Sequence, residues 1–294
     1  MKPPPFEYAA PDSVAEVLEL LHGSPEDTVL LAGGQSLVPV LNMRMAQPRV
    51  VVDLNRVQGL DTIEDTTDGR ARFGSMVRQR RLETEPLVRE RLPLLTLATR
   101  HVAHLPIRSR GTLGGSLAHA DPAAELPATV SALDGRLRLQ GPDGDRTVTA
   151  GEFFVGPLTT AIEPGELLVG VEVDVPPAGT GSAFVEVART HGAFALVAVA
   201  ALLRLDSGGS IDHVRLALAG VGGTPYVPAW LDETALGEAP DGALFRRIGE
   251  RVSQEVEPFD DIHATAAYRG RVAGVLAARA LAVAAAGASE GTAA

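Results

Sequence analysis

The fold of this chain is decided by two stretches, residues 30–39, LLAGGQSLVP, and residues 110–116, RGTLGGS. In the first, an apolar run stops at a pair of glycines and then resumes with helical spacing. It predicts a buried strand, a tight turn and a helix that begins near Ser36. Pro39 falls in the first turn of that helix, where proline is tolerated. The second stretch repeats the same small residues later in the chain.

Both stretches have features of an anion-binding loop. A diphosphate can approach the backbone closely only where side chains are missing, and N–H groups near a helix start can hold it. Neither stretch has the GxGxxG of a dinucleotide-binding unit or the GK[ST] of a nucleoside triphosphate loop. Each one alone is equally typical of an ordinary strand-to-helix turn. The pair therefore indicates a phosphate site of another kind.

Composition limits the classes of protein that fit. The 294 residues are 45% hydrophobic, enough for two domains or for one large cofactor-binding unit with a smaller cap. The net charge of -11 argues against nucleic-acid binding. The absence of cysteine excludes disulfides, cysteine-ligated iron–sulfur clusters and cysteinyl-flavin bonds, so redox chemistry needs a cofactor. We expect no membrane span and a cytoplasmic location, because we see neither a leader nor an apolar run of ~20 residues.

Outward from the glycine stretches, periodicity predicts the other elements. A helix starts at Ser13 and ends at Gly23, and strands cover 28–31 and 49–54. Further elements follow along the chain: a helix over 92–105, a helix with Asp121 as N-cap and Pro122 at its first position, a hairpin over 135–154, and a strand over 167–175. After a linker near residue 177, three strand-like runs and several helices predict a three-stranded sheet covered by helices.

Residues 32–57, AGGQSLVPVLNMRMAQPRVVVDLNRV, and 107–128, IRSRGTLGGSLAHADPAAELPA, closely resemble the FAD-binding (medium) subunits of molybdenum hydroxylases. This family includes carbon monoxide dehydrogenase medium subunits and xanthine dehydrogenase FAD domains. The resemblance spans nearly the whole chain. It implies an α+β protein: a vanillyl-alcohol-oxidase-like (PCMH-type) FAD-binding fold of two α/β subdomains, plus a C-terminal three-stranded antiparallel sheet with helices. The expected bounds are 1–55 and 56–176 for the subdomains, 177–284 for the C-terminal domain and 285–294 for a disordered tail.

The resemblance also implies a non-covalent FAD site. Residues 32–36 and 112–116 would embrace the FAD diphosphate. Asp121 and Glu125 would accept hydrogen bonds from ribityl or ribose hydroxyls, and Leu168 would pack near the flavin ring. The implied contact set, which contains no catalytic side chain and no metal ligand, is Leu31, Ala32, Gly33, Gly34, Gln35, Ser36, Leu37, Ile107, Gly111, Thr112, Leu113, Gly114, Gly115, Ser116, His119, Asp121, Glu125 and Leu168.

The chain departs from this family near the expected position of the flavin ring. Many relatives have a lysine two residues after the aromatic that corresponds to Phe184, where this chain has Glu186. They commonly read Gly-Asp-Tyr or Gly-Asp-Phe where this chain has Gly192-Ala193-Phe194. Phe194 either fills the core or covers the flavin. These changes bear on access to the ring and on the electron acceptor.

Several polar residues have a functional and a plain interpretation. His101, His104, His119 and Asp121 have none of the usual zinc spacings, which favours two histidines on a helix beside FAD and one in the loop. The arginine run at 78–81 is either a solvated surface or a docking site for a partner subunit. Asp121 can also cap its helix, and Glu125, one turn further on, can also face solvent.

The resemblance implies an electron-transfer subunit of a molybdenum hydroxylase. A molybdenum-cofactor large subunit would oxidise the substrate, a [2Fe-2S] small subunit would relay electrons, and FAD would deliver them to an external acceptor, in a heterotrimer or its dimer. Two alternatives stay open. One is a stand-alone FAD-dependent oxidoreductase acting on a small organic substrate, and the other is a scaffold without flavin. In this family another chain chooses the substrate, so carbon monoxide, purines, N-heterocycles and aldehydes all stay open.

Overall fold

The first unit of the fold is a small parallel sheet. The computed structural model describes the backbone of residues 2–292 and the side chains of residues 2–288. The sheet has the order β1-β3-β2 and carries two helices; these elements are β1 (Glu7–Ala9), α1 (Val14–Gly23), β2 (Thr28–Leu31), α2 (Leu37–Asn42) and β3 (Val50–Asp53). The predicted start of α1 is confirmed, since the Ser13 side chain accepts from the N–H of Glu16. The predicted start of α2 at Ser36 is confirmed as well.

The second unit is built on a five-stranded antiparallel sheet of order β4-β5-β10-β6-β7. Its strands are β4 (Ile63–Asp65), β5 (Arg70–Gly74), β6 (Arg136–Gly141), β7 (Gly144–Thr149) and β10 (Leu167–Asp174), with a separate pair of β8 (Phe154–Gly156) and β9 (Thr159–Thr160). Its helices are α3 (Gln79–Thr84), α4 (Pro86–Arg91), α5 (Pro93–His101), α6 (Leu105–Arg108), α7 (Leu113–His119), α8 (Glu125–Ala132) and α9 (Ala150–Phe153). The predicted hairpin is confirmed over residues 136–149, but the last residues assigned to it form α9 and the start of β8. The predicted strand over 167–175 is confirmed as β10.

The predicted helix over 92–105 is too long. It ends as α5 at His101, and Ala103 adopts a left-handed backbone with φ of 41°. The guanidinium of Arg108 donates to the carbonyls of Val102 and Ala103, at 2.8 and 3.1 Å, and so satisfies the backbone at this break. Only His101 therefore lies on the predicted helix, and His104 precedes the next one.

The predicted helix start at Asp121-Pro122 is wrong. The carboxylate of Asp121 accepts from the N–H of Ala123 at 2.9 Å and closes a turn, and α8 begins only at Glu125. All eight residues of α8 are buried. The helix lies between the second unit and the sheet of the third, so its polar first residue is removed from solvent.

The third unit contains the predicted three-stranded antiparallel sheet, which is confirmed. Its elements are β11 (Gly181–Ala188), β12 (Ala195–Leu205), β13 (Ile211–Ala219), α10 (Leu231–Ala235), α11 (Gly242–Glu255) and α12 (Ala266–Thr292). The expectation of a disordered tail over 285–294 is wrong as far as residue 292, because α12 continues to Thr292 and buries Ala284, Ala285 and Ala288. Residues 293–294 lie outside the described residues.

The helix α12 is long and apolar enough to cross a membrane, and it is the one such helix in the described part of the chain. Half of its apolar window is buried in the fold. Ala277, Ala280 and Ala284 have no exposed surface, and a side chain added at Gly181 of β11 would lie against the carbonyl of Ala284. The helix therefore serves as the core helix of the third unit, and its small residues allow the sheet to approach closely.

Candidate cofactor-binding site

A cavity of about 620 Å³ opens where the three units meet. This volume is in the usual range for small-molecule and cofactor sites. All but two of the expected FAD contacts line it: Ala32, Gly33, Gly34, Gln35, Ser36, Leu37, Ile107, Gly111, Thr112, Gly114, Gly115, Ser116, His119, Asp121, Glu125 and Leu168. The two stretches, which are far apart in sequence, thus both belong to the wall of one cavity.

The two exceptions, Leu31 and Leu113, lie outside the cavity wall. Leu113 is fully buried in the core of the second unit, and its N–H donates to the carbonyl of Val77 at 2.8 Å. Leu31 ends strand β2, and its side chain lies beside Gly34. Leu113 therefore packs in the core next to the second loop, and the half-buried Leu31 packs beside the first.

The first glycine loop, residues 32–36, presents backbone donors. The N–H groups of residues 33–37 donate to no acceptor within residues 2–292. The carbonyls, in contrast, are engaged: Gln35 Nε2 donates to the carbonyl of Gly33 at 3.0 Å, and the N–H of Val38 donates to that of Gly34 at 3.0 Å. Because buried or partly buried N–H groups need acceptors, the loop is suited to an anion.

The second glycine loop, residues 110–116, differs in this respect. It runs into helix α7, so its paired glycines lie in the first helical turn. The N–H groups of residues 113–116 all have acceptors in the chain, among them Ser75 O for Gly114 and Thr112 Oγ1 for Gly115, at 2.8 and 3.0 Å. Within residues 112–116 only the Thr112 N–H has no described acceptor. The expectation that both loops offer a set of amides is therefore wrong for the second.

Glycine is required where the two loops touch. A Cβ added at Gly33 would lie 2.5 Å from the carbonyl oxygen of Arg110 and 2.7 Å from Cα of Gly111. A Cβ added at Gly115 would lie 3.4 Å from that of Ala32. Only backbone without side chains fits at such distances, so the two loops form one continuous surface.

Two cavity residues, Ser75 and Gln79, were missed by sequence reasoning. Both are buried, and Ser75 Oγ and Gln79 Oε1 have no hydrogen-bond partner among the residues that the structure describes. These two oxygen atoms can form hydrogen bonds with polar groups of a ligand in the cavity. The local signal was weak, because Ser75 follows the short strand β5, which the sequence analysis did not identify.

The third unit closes the cavity with Gly192, Ala193 and Phe194, which all line it. The Phe194 side chain is 61% exposed, so it does not fill the core. Glu186, which stands where many relatives have a lysine, does not line the cavity. Its buried carboxylate lies 3.0 Å from His101 Nδ1, and this hydrogen bond raises the pKa of His101 above its ordinary value.

Glu125 lines the cavity from the first position of α8, and it is only 5% exposed. Burial raises its pKa to about 7, and the negative charges of Glu186 and Asp121 act in the same direction. The solvent-facing alternative for Glu125 is therefore wrong. With a pKa raised in this way, the carboxyl group keeps its proton to a higher pH than an ordinary glutamate does, and in its protonated form it can both donate and accept hydrogen bonds.

The histidines and the arginine run singled out in the sequence form no metal site in the described part of the chain. In the described part of the chain, no group of three or more His, Asp or Glu side chains is placed to hold a metal ion. His119 lines the cavity, whereas His104 stacks beside His191 with ring centroids 5.6 Å apart. In the arginine run, Arg80 pairs with Glu83 and Arg81 with Glu85, and Arg78 binds main-chain and side-chain oxygens near the two loops.

The sheet order and the cavity between glycine loops define a class of FAD-binding fold, and comparisons identify the family. A family profile described as "FAD binding domain in molybdopterin dehydrogenase" matches residues 4–177, and one described as "CO dehydrogenase flavoprotein C-terminal domain" matches residues 182–284. The chain belongs to the family of FAD-binding subunits of molybdopterin dehydrogenases.

Characterised relatives cover nearly the whole chain. The 6-hydroxypseudooxynicotine dehydrogenase complex subunit alpha of Paenarthrobacter nicotinovorans is 38% identical over 96% of this chain and 95% of its own length. The nicotine 6-hydroxylase medium subunit of the same organism is 40% identical over 92% and 93%. The solved structure of carbon monoxide dehydrogenase from Hydrogenophaga pseudoflava matches with a TM-score of 0.94 and 37% identity, over 98% of this chain and 99% of that one.

Proposed function

We propose that this chain is the FAD-binding electron-transfer subunit of a molybdenum hydroxylase, which takes electrons from a [2Fe-2S] subunit and passes them to an external acceptor. The observation that carries the proposal is the set of N–H groups at residues 33–37, which have no acceptor within residues 2–292 and belong to a loop that lines the cavity where two glycine loops meet. Bound FAD supplies redox chemistry that none of the chain's own side chains has.

The lining of the cavity suits FAD in charge as well as shape. No lysine or arginine belongs to the described lining, so the diphosphate would be held there by uncharged donors, chiefly backbone N–H groups. In the same lining, Asp121 and Glu125 provide acceptors for sugar hydroxyls. We propose that residues 32–36, with Thr112 and Ser116, hold the diphosphate, and that Leu168 packs against the ring.

We also propose the domain bounds 1–55, 56–176 and 177–284.

We propose that the partners are a molybdenum-cofactor large subunit and a [2Fe-2S] small subunit, in a heterotrimer or its dimer, and that the complex is cytoplasmic. The names of similar proteins refer to 6-hydroxypseudooxynicotine, nicotine and carbon monoxide, at identities of 38%, 40% and 37%. Similarity in this subunit thus does not follow the substrate. We infer that the large subunit selects it.

Co-expression tests the proposal. We expect the purified full chain to show the absorption spectrum of oxidised flavin and to co-purify with the two other subunits from the same genome. Cell fractionation should recover the complex with the cytosol. A chain that binds no flavin would contradict the cofactor assignment. A chain that oxidises a small organic substrate without partners would support the stand-alone alternative instead.

A further inference from the structure

A hydrogen-bonded chain of side chains connects the two glycine loops without lining the cavity. We propose that Asn55 and Arg78 are positioning residues that hold the two loops at the spacing required by the FAD diphosphate. The inference rests on the proposed function for its ligand, but the spacing is a property of the protein alone. We refer to Tyr8, Asp53, Asn55 and Arg78 as the brace.

The first half of the brace belongs to the parallel sheet. Asn55 follows β3 in a short turn, and its Nδ2 donates to the carbonyl of Ala32, in the first loop, at 3.0 Å. Asp53 Oδ1 accepts from the N–H of Asn55 at 2.9 Å, and Tyr8 donates to Asp53 Oδ2 at 2.6 Å. Partial burial raises the pKa of Asp53, but these hydrogen bonds lower it by more. The pKa therefore lies below its ordinary value, and the carboxylate stays ionised near neutral pH.

The second half is Arg78, which stands just before α3 in the second unit. Its backbone forms a bridge to Thr112, and the N–H of the next residue donates to the carbonyl of Gly111 at 2.9 Å. Its guanidinium donates both to the carbonyl of Arg110, in the second loop, and to Asn55 Oδ1. The carbonyl of Arg110 is the same group that a side chain at Gly33 would meet.

The planar guanidinium of Arg78 therefore binds both the first half of the brace, at Asn55, and the second loop, at Arg110. A guanidinium presents several donors in a fixed arrangement, so it can fix two acceptors relative to each other in a way that lysine cannot. Neither Asn55 nor Arg78 is part of the described cavity lining, so each acts through the loops and not on the cofactor. Arg81 is a matched control, because it lies one turn along and binds Asp61 O and Glu85 but neither loop.

A distance measurement tests the brace without any ligand. Because the chain has no cysteine, spin labels can be placed by M45C and S109C, two exposed positions that flank the loops. We expect one narrow distance distribution in this background, a broader or shifted one with Arg78→Gln or Asn55→Ala, and no change with Arg81→Gln. An unchanged distribution in both brace variants would overturn the proposal, whether or not the chain binds FAD.

Ligand titrations of the full chain separate positioning from charge and from general destabilisation. We expect Arg78→Gln to weaken FAD and ADP by a similar factor of about ten, equivalent to ~1.4 kcal/mol, and to leave riboflavin binding unchanged. The uncharged change Asn55→Ala should act in the same direction, and Arg78→Lys should recover only part of the loss. Full recovery by lysine with a neutral Asn55→Ala would show a charge effect and overturn positioning. Equal losses for riboflavin and ADP would do the same.

Discussion

The two glycine loops are similar in sequence but differ in their backbone hydrogen bonds. The first has N–H groups at residues 33–37 without acceptors in the described chain, whereas residues 113–116 of the second have all theirs satisfied. The glycines of the second loop allow helix α7 to approach its surroundings: a side chain at Gly114 would lie 2.4 Å from the Cβ of Ser75. The first loop thus supplies most of the backbone donors, whereas the second mainly supplies shape, and similar sequences need not imply similar hydrogen bonding.

The strongest test of this comparison between the two loops is a substitution at the point where they meet. Gly33→Ala would place a methyl group 2.5 Å from the carbonyl oxygen of Arg110, and backbone cannot yield as a flexible side chain does. We expect the loops to separate and FAD affinity to fall at least about 100-fold, equivalent to ~2.7 kcal/mol, in a flavin fluorescence titration. Gly151→Ala is the control, because nothing lies within 4 Å of its added Cβ. Wild-type affinity in the Gly33 variant would mean that the contact between loops is not needed for binding.

The two loops also differ in the charge near them. The buried Glu125 lies on α8, the helix that follows α7 of the second loop. Its pKa is raised from 4.5 to about 7, so the folded chain holds this proton more tightly than the unfolded chain does. As the pH rises from about 4.5 to 7, the unfolded chain ionises first, and folding stability should fall by up to about 3 kcal/mol and then level off. Glu125→Gln removes this dependence. Its stability relative to wild type should be similar at pH 4 and greater at pH 8.

Denaturant unfolding at several pH values measures this effect. The exposed Glu90→Gln is the matched control and should follow the wild-type profile. Parallel profiles for Glu125→Gln and the wild type would show that Glu125 does not differ in protonation between the folded and unfolded chain, and the raised pKa of Glu125 would have to be abandoned.

We expect the smallest effects from substitutions of the hydroxyl residues at the starts of α7 and α2, Thr112 and Ser36. Thr112 Oγ1 accepts from the N–H of Gly115, whereas Ser36 makes no such cap hydrogen bond at the start of α2. Thr112→Val should therefore lower the stability of the flavin-free protein by ~1 kcal/mol. Ser36→Ala should leave that stability unchanged but weaken FAD binding by a few-fold, because its hydroxyl is free for the ligand. The reverse pattern would exchange the roles given to the two loops.

Local signals were sufficient for much of the fold. The N-cap at Ser13, the hairpin over residues 136–149 and the three C-terminal strands follow from periodicity and turn residues, and the structure has them. The helix start at residue 125 did not follow. Asp121 and Pro122 carry the usual signal of a helix start, but the chain first makes a turn there, and the N–H of Gly220 donates to the Pro122 carbonyl at 2.8 Å. A contact with a distant strand end decided against the local preference.

The sequence by itself determined the glycines at the loop contacts, the absence of thiol-based redox chemistry in a chain without cysteine, and the family resemblance. Only the tertiary structure decided that Ser75 and Gln79 face the cavity, that Glu125 is buried, and which loop has unpaired N–H groups. The reason is physical. Propensities and caps act between residues a few positions apart, whereas burial and hydrogen-bond partners depend on which distant segments the packing brings together.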